Sequence, residues 1–159
     1  MKGSIFIALL MSLGLSASAD DPAAMNTGSA TRFGAGVILG EPTGASVKYF
    51  FTDSFAIDGA FGWSFHDETD LTLHADALWH KHHLLDTSKG QLSLYFGAGG
   101  RVKFRDHAED RVGVRIPVGL AYKFDRAPVD LFVEVAPIID FTPSTKGSFS
   151  AGMGARYWF

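Results

Sequence analysis

Not one cysteine occurs in the 159 residues, which removes disulfide frameworks, thiolate catalysis and cysteine-held zinc together. Basic residues are slightly outnumbered. Lys+Arg is 14 against 17 Asp+Glu, a net charge of −3, so the chain lacks the electrostatic footprint of a nucleic-acid binder. Proline is scarce, at six, and no apolar run approaches the roughly 20 residues that cross a bilayer as a helix. Disorder is excluded as well, because a chain that is 47% hydrophobic buries enough surface to offset its ordering entropy. What is abundant is glycine, at 18, and phenylalanine, at 14. One folded domain suits this length.

The chain opens with a segment of different character. Lys2 gives a positive start, Ile5 to Leu15 an apolar stretch, and Ala17-Ser18-Ala19 a small-residue cleavage site, the three parts of a secretory signal peptide. The expected organisation is a signal peptide over 1–19, a flexible periplasmic segment over 20–31 and a folded domain over 32–159.

From Arg32 onward apolar residues alternate with small or polar ones at period two, the mark of a strand with two unlike faces. Eight such runs are predicted: 32–40, 45–51, 55–65, 71–81, 91–104, 111–124, 129–139 and 148–159. Turn residues separate them, the outer loops being 41–44, 66–70, 105–110 and 140–147, with a longer turn over 82–90 at the opposite end. No helical period appears after the leader.

The two faces differ in bulk as well as polarity. One parity carries large apolar residues such as Val37, Phe61, Leu73, Leu94, Val114 and Val133. The other carries Lys48, Asp58, His74, Asp76, Arg101, Arg115, Lys123, Asp130, Glu134 and Arg156, spaced by glycine, alanine and serine. An eight-stranded barrel has an interior only wide enough for side chains to fill, so the small, charged face fits inside and the bulky one must lie outside. In water that exterior would aggregate. In lipid it is at home, and a closed barrel satisfies every backbone hydrogen bond there. The expected fold is therefore all-β, an eight-stranded antiparallel up-and-down transmembrane barrel in the cell outer membrane. The expected lumen network is Lys48, Asp58, Asp76, Arg101, Arg115, Lys123, Asp130, Glu134 and Arg156, with short turns setting Lys48 opposite Asp58 and Lys123 opposite Asp130.

Aromatic residues cluster at strand ends, where amphipathic rings meet headgroups in such barrels. Phe33, Tyr49, Phe51, Phe55, Trp79, Tyr122, Phe124, Tyr157 and Phe159 fall at the periplasmic ends; Trp63, Phe65, Phe104 and Phe149 at the outer ends. The closing run SFSAGMGARYWF (148–159) resembles the C-terminal assembly signal of Gram-negative outer-membrane proteins, with Tyr157 and Phe159 as its aromatic pair. The whole mature chain resembles the small eight-stranded barrels of the OmpX and OmpA transmembrane-domain type. The pieces GAGGRVKF (97–104), GVRIPVGLAYKF (113–124) and VDLFVEVAPIIDFTPST (129–145) resemble small barrels of unassigned function. This resemblance implies assembly by the Bam machinery and contact with outer-membrane lipid and lipopolysaccharide. It names no reaction.

Chemistry has few places to reside. The lumen charges read either as a gated ion path or as a plug of salt bridges that keeps the barrel closed; the narrow bore favours the plug. His80, His82 and His83, with His74, suggest a metal site, but metal ligands need convergence and partners that fix them. His82 and His83 fall in the predicted turn with no carboxylate adjacent but Asp86, so no metal site is expected. Ser64, His66 and Glu68 share a parity, but strand neighbours at i and i+2 stand roughly 6–7 Å apart, out of hydrogen-bond reach. The deacylase pattern of a histidine two residues before Ser-Asn is absent. No catalytic residue and no cofactor is expected. The expected function is non-enzymatic: an envelope structural or surface-interaction protein whose outer loops offer a surface to an extracellular protein ligand. A lipid A-modifying barrel enzyme and a narrow ion-conducting pore are the alternatives.

Overall fold

The computed structural model describes residues 32–64 and 70–159, with only the backbone of Ser64. The leader over 1–19, the segment over 20–31, and Phe65, His66 and Glu68 lie outside the described residues. Nine strands follow in chain order: β1 (Phe33–Gly40), β2 (Thr43–Phe50), β3 (Phe55–Ser64), β4 (Asp70–Thr87), β5 (Gly90–Phe104), β6 (Arg111–Arg115), β7 (Val118–Phe124), β8 (Val129–Thr142) and β9 (Lys146–Trp158). Among the described residues there is no helix.

Every ladder is antiparallel, and strands adjacent in the chain pair in turn, except β6 and β7, which both pair with β5 and β8, until β9 returns to β1. Gly34 then faces Trp158, and the Phe159 N–H donates to the Phe33 carbonyl at 2.8 Å. The result is a closed ring without a free sheet edge among the described residues of its wall, the arrangement by which β-proteins avoid edge-to-edge association. Both ends of the described chain lie at one end of the ring, here the terminal end, with residues 51–54, 88–89 and 125–128 turning there. The far end carries 41–42, 105–110 and 143–145.

The strand count corrects the expectation of eight. The predicted run 111–124 is two strands, because Pro117 has no N–H to give to the ladder. Pro137, on β8 across from the break, has none either. The Ile116 N–H still donates to the Pro137 carbonyl and the Gly97 N–H to the Pro117 carbonyl, each at 3.0 Å. Register does not slip at the gap: Gly99 faces Arg115 before it and Phe96 faces Val118 after it. β6 and β7 therefore lie end to end, both between β5 and β8.

Loop lengths are corrected too. The predicted turn over 82–90 is mostly strand, since β4 continues to Thr87. Its register shifts between Lys81, which faces Leu94, and Leu85, which faces Leu92. The extra residues form a bulge in which His83 takes φ 59°, a left-handed conformation that such insertions use. At the far end the predicted loop 140–147 shrinks, because β8 runs to Thr142 and β9 begins at Lys146.

Inward positions are small or charged and buried; outward positions are large, apolar and exposed. Phe61, Leu73, Val114, Leu131, Val133 and Met153 each leave between 45% and 58% of their surface uncovered. The apolar interior is thin: Ile38, Ala60, Leu78, Tyr95, Ala121 and Phe132 form its buried cluster. Glycines admit the larger inward groups. Tyr95 faces Gly119 across the β5–β7 ladder, and a Cβ at Gly119 would collide with the tyrosine ring.

Candidate functional site

The interior of the ring is an ionic column. Inward parity on adjacent strands, held by the ladders, stacks its charges, and each is buried: Lys48, Asp58, Asp70, Asp76, Arg101, Arg115, Asp130, Glu134, Asp140 and Arg156. Charges this deep persist only when paired, because desolvation otherwise outweighs what they gain.

Three groupings follow one another along the bore. Toward the far end Arg101 donates to both Asp140 oxygens at 2.7 and 2.8 Å and to Ser148 Oγ at 3.1 Å, while Lys103 lies 3.4 Å from Asp70. In the middle, Arg115 donates a short hydrogen bond to Glu134, which also accepts from the Tyr95 hydroxyl at 3.0 Å. Arg115 sits 3.5 Å from Asp76 as well. Next to it Arg156 reaches Asp58 at 3.3 Å, bonds Ser46 Oγ at 3.0 Å and stacks its guanidinium 3.7 Å from the centre of the Phe132 ring. Lys48 lies 3.7 Å from Asp58 and 4.3 Å above the Tyr95 ring.

Toward the terminal end the bore becomes aromatic. His80 stacks on Tyr95 and His82, with centroids 5.2 and 5.6 Å away, and meets Phe50 at a tilt, 4.8 Å away; Phe50 meets Trp158 at 5.4 Å. His82 contacts Ser93 Oγ at 3.0 Å and the Asp53 carbonyl. Around these rings lies a small cavity of about 110 Å³, with Lys123 and Asp130 on its wall.

Of the residues predicted for the lumen, all but Lys123 are buried. Lys123 is exposed at the mouth, 5.4 Å from the Trp158 ring. It faces Asp130 across the ladder, and Lys48 faces Asp58. The sequence pattern puts Asp140 in an outer loop; it stands instead on β8, 1% exposed, beneath Arg101. The alternation of Asp130, Phe132, Glu134, Ala136 and Ile138 continues to it without interruption, which is the signal that would have found it. His82 and His83, expected in a turn, lie in the β4 bulge.

Sequence reasoning also misses the meeting of Asp58, His74 and Asp76. Asp58 faces Asp76 across the β3–β4 ladder, and His74 Nε2 lies 3.8 Å from Asp76 Oδ2. One ligand atom from each of the three residues falls within 4.8 Å of the others. The register of β3 against β4 sets this convergence, and spacing along one strand cannot display it.

On the outside, aromatic side chains form bands at both ends. The terminal end carries Phe55 against Trp79 (5.3 Å), Phe51 against Phe55 (6.1 Å), Tyr49 against Phe51 (5.0 Å), Phe33 against Phe159 (6.1 Å), Tyr157 against Phe159 (5.0 Å) and Tyr122 against Phe124 (5.0 Å). Trp63, Phe104 and Phe149 are exposed at the far end, joined by Phe141, which the sequence pattern leaves in the loop.

Among solved structures the chain is similar to the N-terminal beta-barrel domain of Pseudomonas aeruginosa OprF, at a TM-score of 0.56 and 17% identity over 80% of this chain and 96% of that one. At that identity the likeness speaks for the fold, a β-barrel. No family model matches the sequence, and no curated protein matches it.

Proposed function

We propose that this chain is an outer-membrane β-barrel protein of the Gram-negative envelope, with a structural or surface-interaction role and no catalytic site. The observation that carries the reading is the inversion of the ring: bulky apolar side chains exposed all round its exterior, buried ion pairs within. Each large outward side chain, about half exposed, forgoes half of the roughly 1.5–3 kcal/mol that full burial gives, and a belt of them is sustainable only against another apolar phase. Acyl chains supply that phase, with the aromatic bands Phe33–Trp79–Tyr157 and Trp63–Phe104–Phe149 at its two boundaries. The terminal end then faces the periplasm, as the even number of crossings requires when the chain enters from that side. Tyr157 and Phe159, both exposed at that end, would serve as the assembly signal that the Bam machinery reads.

The packed bore argues against conduction. Arg101–Asp140 closes it toward one end and the Phe50–His80–Trp158 rings toward the other. An extracellular protein ligand would be met by the far-end loops, of which 105–110 (RDHAED) is the most charged; lipopolysaccharide would be met by the adjoining outer wall.

Spin labels at Leu94 and Val114 test the reading in membranes. The expected result is strong relaxation by oxygen and weak relaxation by an aqueous quencher; the reverse would overturn it. Unboiled gel migration faster than boiled is expected of the extracted protein. An unchanged lipid A acyl pattern on deleting the gene is expected if there is no catalysis. Planar-bilayer recordings without steady conductance steps are expected if the bore is closed.

A further inference from the structure

We propose that Asp58, His74 and Asp76 form a binding site for a divalent first-row transition-metal ion of the Zn²⁺ type inside the ring. The three side chains come from two neighbouring strands and present one nitrogen and two carboxylate donors within 4.8 Å of one another. All are at least nine-tenths buried, with residue exposures of 4%, 5% and 2%.

Their hydrogen bonding points to a ligand. Both oxygens of Asp76, Oδ1 of Asp58 and Nδ1 of His74 are buried without a hydrogen bond. Leaving such groups unsatisfied is costly, more so for a charged one, and so dense a group of orphans calls for an ion or water. The 3.8 Å between His74 Nε2 and Asp76 Oδ2 is too long for a hydrogen bond. It suits two ligands sharing a metal, each about 2.0–2.2 Å from it.

Charge leads the same way. Asp58 and Asp76 oppose each other directly across the ladder, an arrangement that destabilises a sheet unless a cation lies between. The cations nearby each approach one oxygen of the pair: Lys48 and Arg156 reach Asp58 Oδ2 at 3.7 and 3.3 Å, and Arg115 reaches Asp76 Oδ2 at 3.5 Å, while Oδ1 of each carboxylate has no hydrogen bond. Such contacts hold the carboxylates in place, as partners outside a metal's own ligands commonly do. One imidazole with two carboxylates suits Zn²⁺ or its first-row neighbours better than Ca²⁺ or Mg²⁺, which prefer all-oxygen surroundings.

The test uses the untagged barrel, stripped with a chelator, refolded in detergent and given Zn²⁺ alone. About one Zn²⁺ per barrel should survive gel filtration, and the urea midpoint should rise with Zn²⁺ concentration. His74→Gln and Asp76→Asn should each lower zinc occupancy at least tenfold, while His83→Ala, at the exposed bulge, should leave it unchanged. Should either variant fail to migrate as a folded barrel, X-ray absorption on the zinc-loaded wild-type chain decides. A shell of one imidazole with oxygen donors is expected; two or more imidazoles would move the metal to the His80–His83 segment and overturn the proposal. Retention below a tenth of an equivalent would also overturn it, leaving a shared proton or water between Asp58 and Asp76.

Discussion

Arg115 shows how much rests on one side chain in the bore. It holds Glu134 and stands 3.5 Å from Asp76, buried on all sides. Arg115→Ala would leave two carboxylates without their cation, and breaking a buried pair in this way costs about 3–5 kcal/mol. The expected outcome is a loss of that size in urea unfolding of the refolded barrel. Lys123→Ala, removing an exposed charge at the mouth, should cost less than about 1 kcal/mol. Inward placement of both was legible in the sequence, because parity assigns every residue of a strand to one face once a single residue is assigned. Depth was not: Arg115 and Lys123 share a parity on one predicted run, and only the position of the ring's end distinguishes a sealed charge from a wet one.

At the scale of elements, the interruption between β6 and β7 is a consequence of one missing donor. Gly97 and Pro117 face each other, yet only the Gly97 N–H→Pro117 carbonyl bond forms. Pro117→Ala supplies the second bond, from the N–H that the substitution restores to the Gly97 carbonyl. The expected result is one continuous strand, slower amide exchange around Ile116 and Val118, and a stability change of no more than about 1.5 kcal/mol. The alternation that revealed the strand was blind to this, since Pro117 has the correct bulk for its inward place and lacks only a hydrogen. The β4 bulge escaped for a similar reason. Its inserted residues, His82 to Leu84, break the period locally, and a broken period reads as a turn.

That bulge also carries a pH signature. His83 Nδ1 donates to Asp86 Oδ2 at 2.7 Å and Gln91 Nε2 to Asp86 Oδ1 at 3.3 Å, at the exposed end of β4 beside its turn into β5. The His83 hydrogen bond, then that of Gln91, holds the Asp86 carboxyl below its ordinary value of 3.8. A carboxyl depressed on folding stabilises fully above its unfolded pKa, and that contribution is lost as pH falls through the depressed folded value. Hydrogen exchange should therefore show residues 83–87, the end of β4, losing protection below about pH 4 while the rest of the wall stays closed; equal protection at pH 6 and pH 3 would contradict this.

For the whole molecule, the outward belt decides where the protein can live. Val133, mid-strand on β8 and 49% exposed, should tolerate Leu or Ile with little change. Val133→Arg should destabilise the barrel in bilayers by about 2–4 kcal/mol, measured by urea titration in lipid vesicles; a neutral effect would mean that no hydrocarbon touches that face. Fold and inside–outside sense were readable from the sequence because both follow from period two and side-chain volume. The meeting of Asp58 with Asp76 was not, since it depends on how β3 and β4 are aligned across a connection whose length in residues does not state its shape.

Because Gly34 faces Trp158 and Phe159 bonds Phe33, the start and finish of the barrel are already adjacent, and a few glycines would join them. Opening the circle between Ser88 and Lys89 then yields a permuted chain that keeps every ladder and moves Tyr157 and Phe159 into its middle. Such a chain should refold in micelles as readily as the parent; if those two residues act as the assembly signal, it should fail to insert in cells, separating what the barrel needs to exist from what places it.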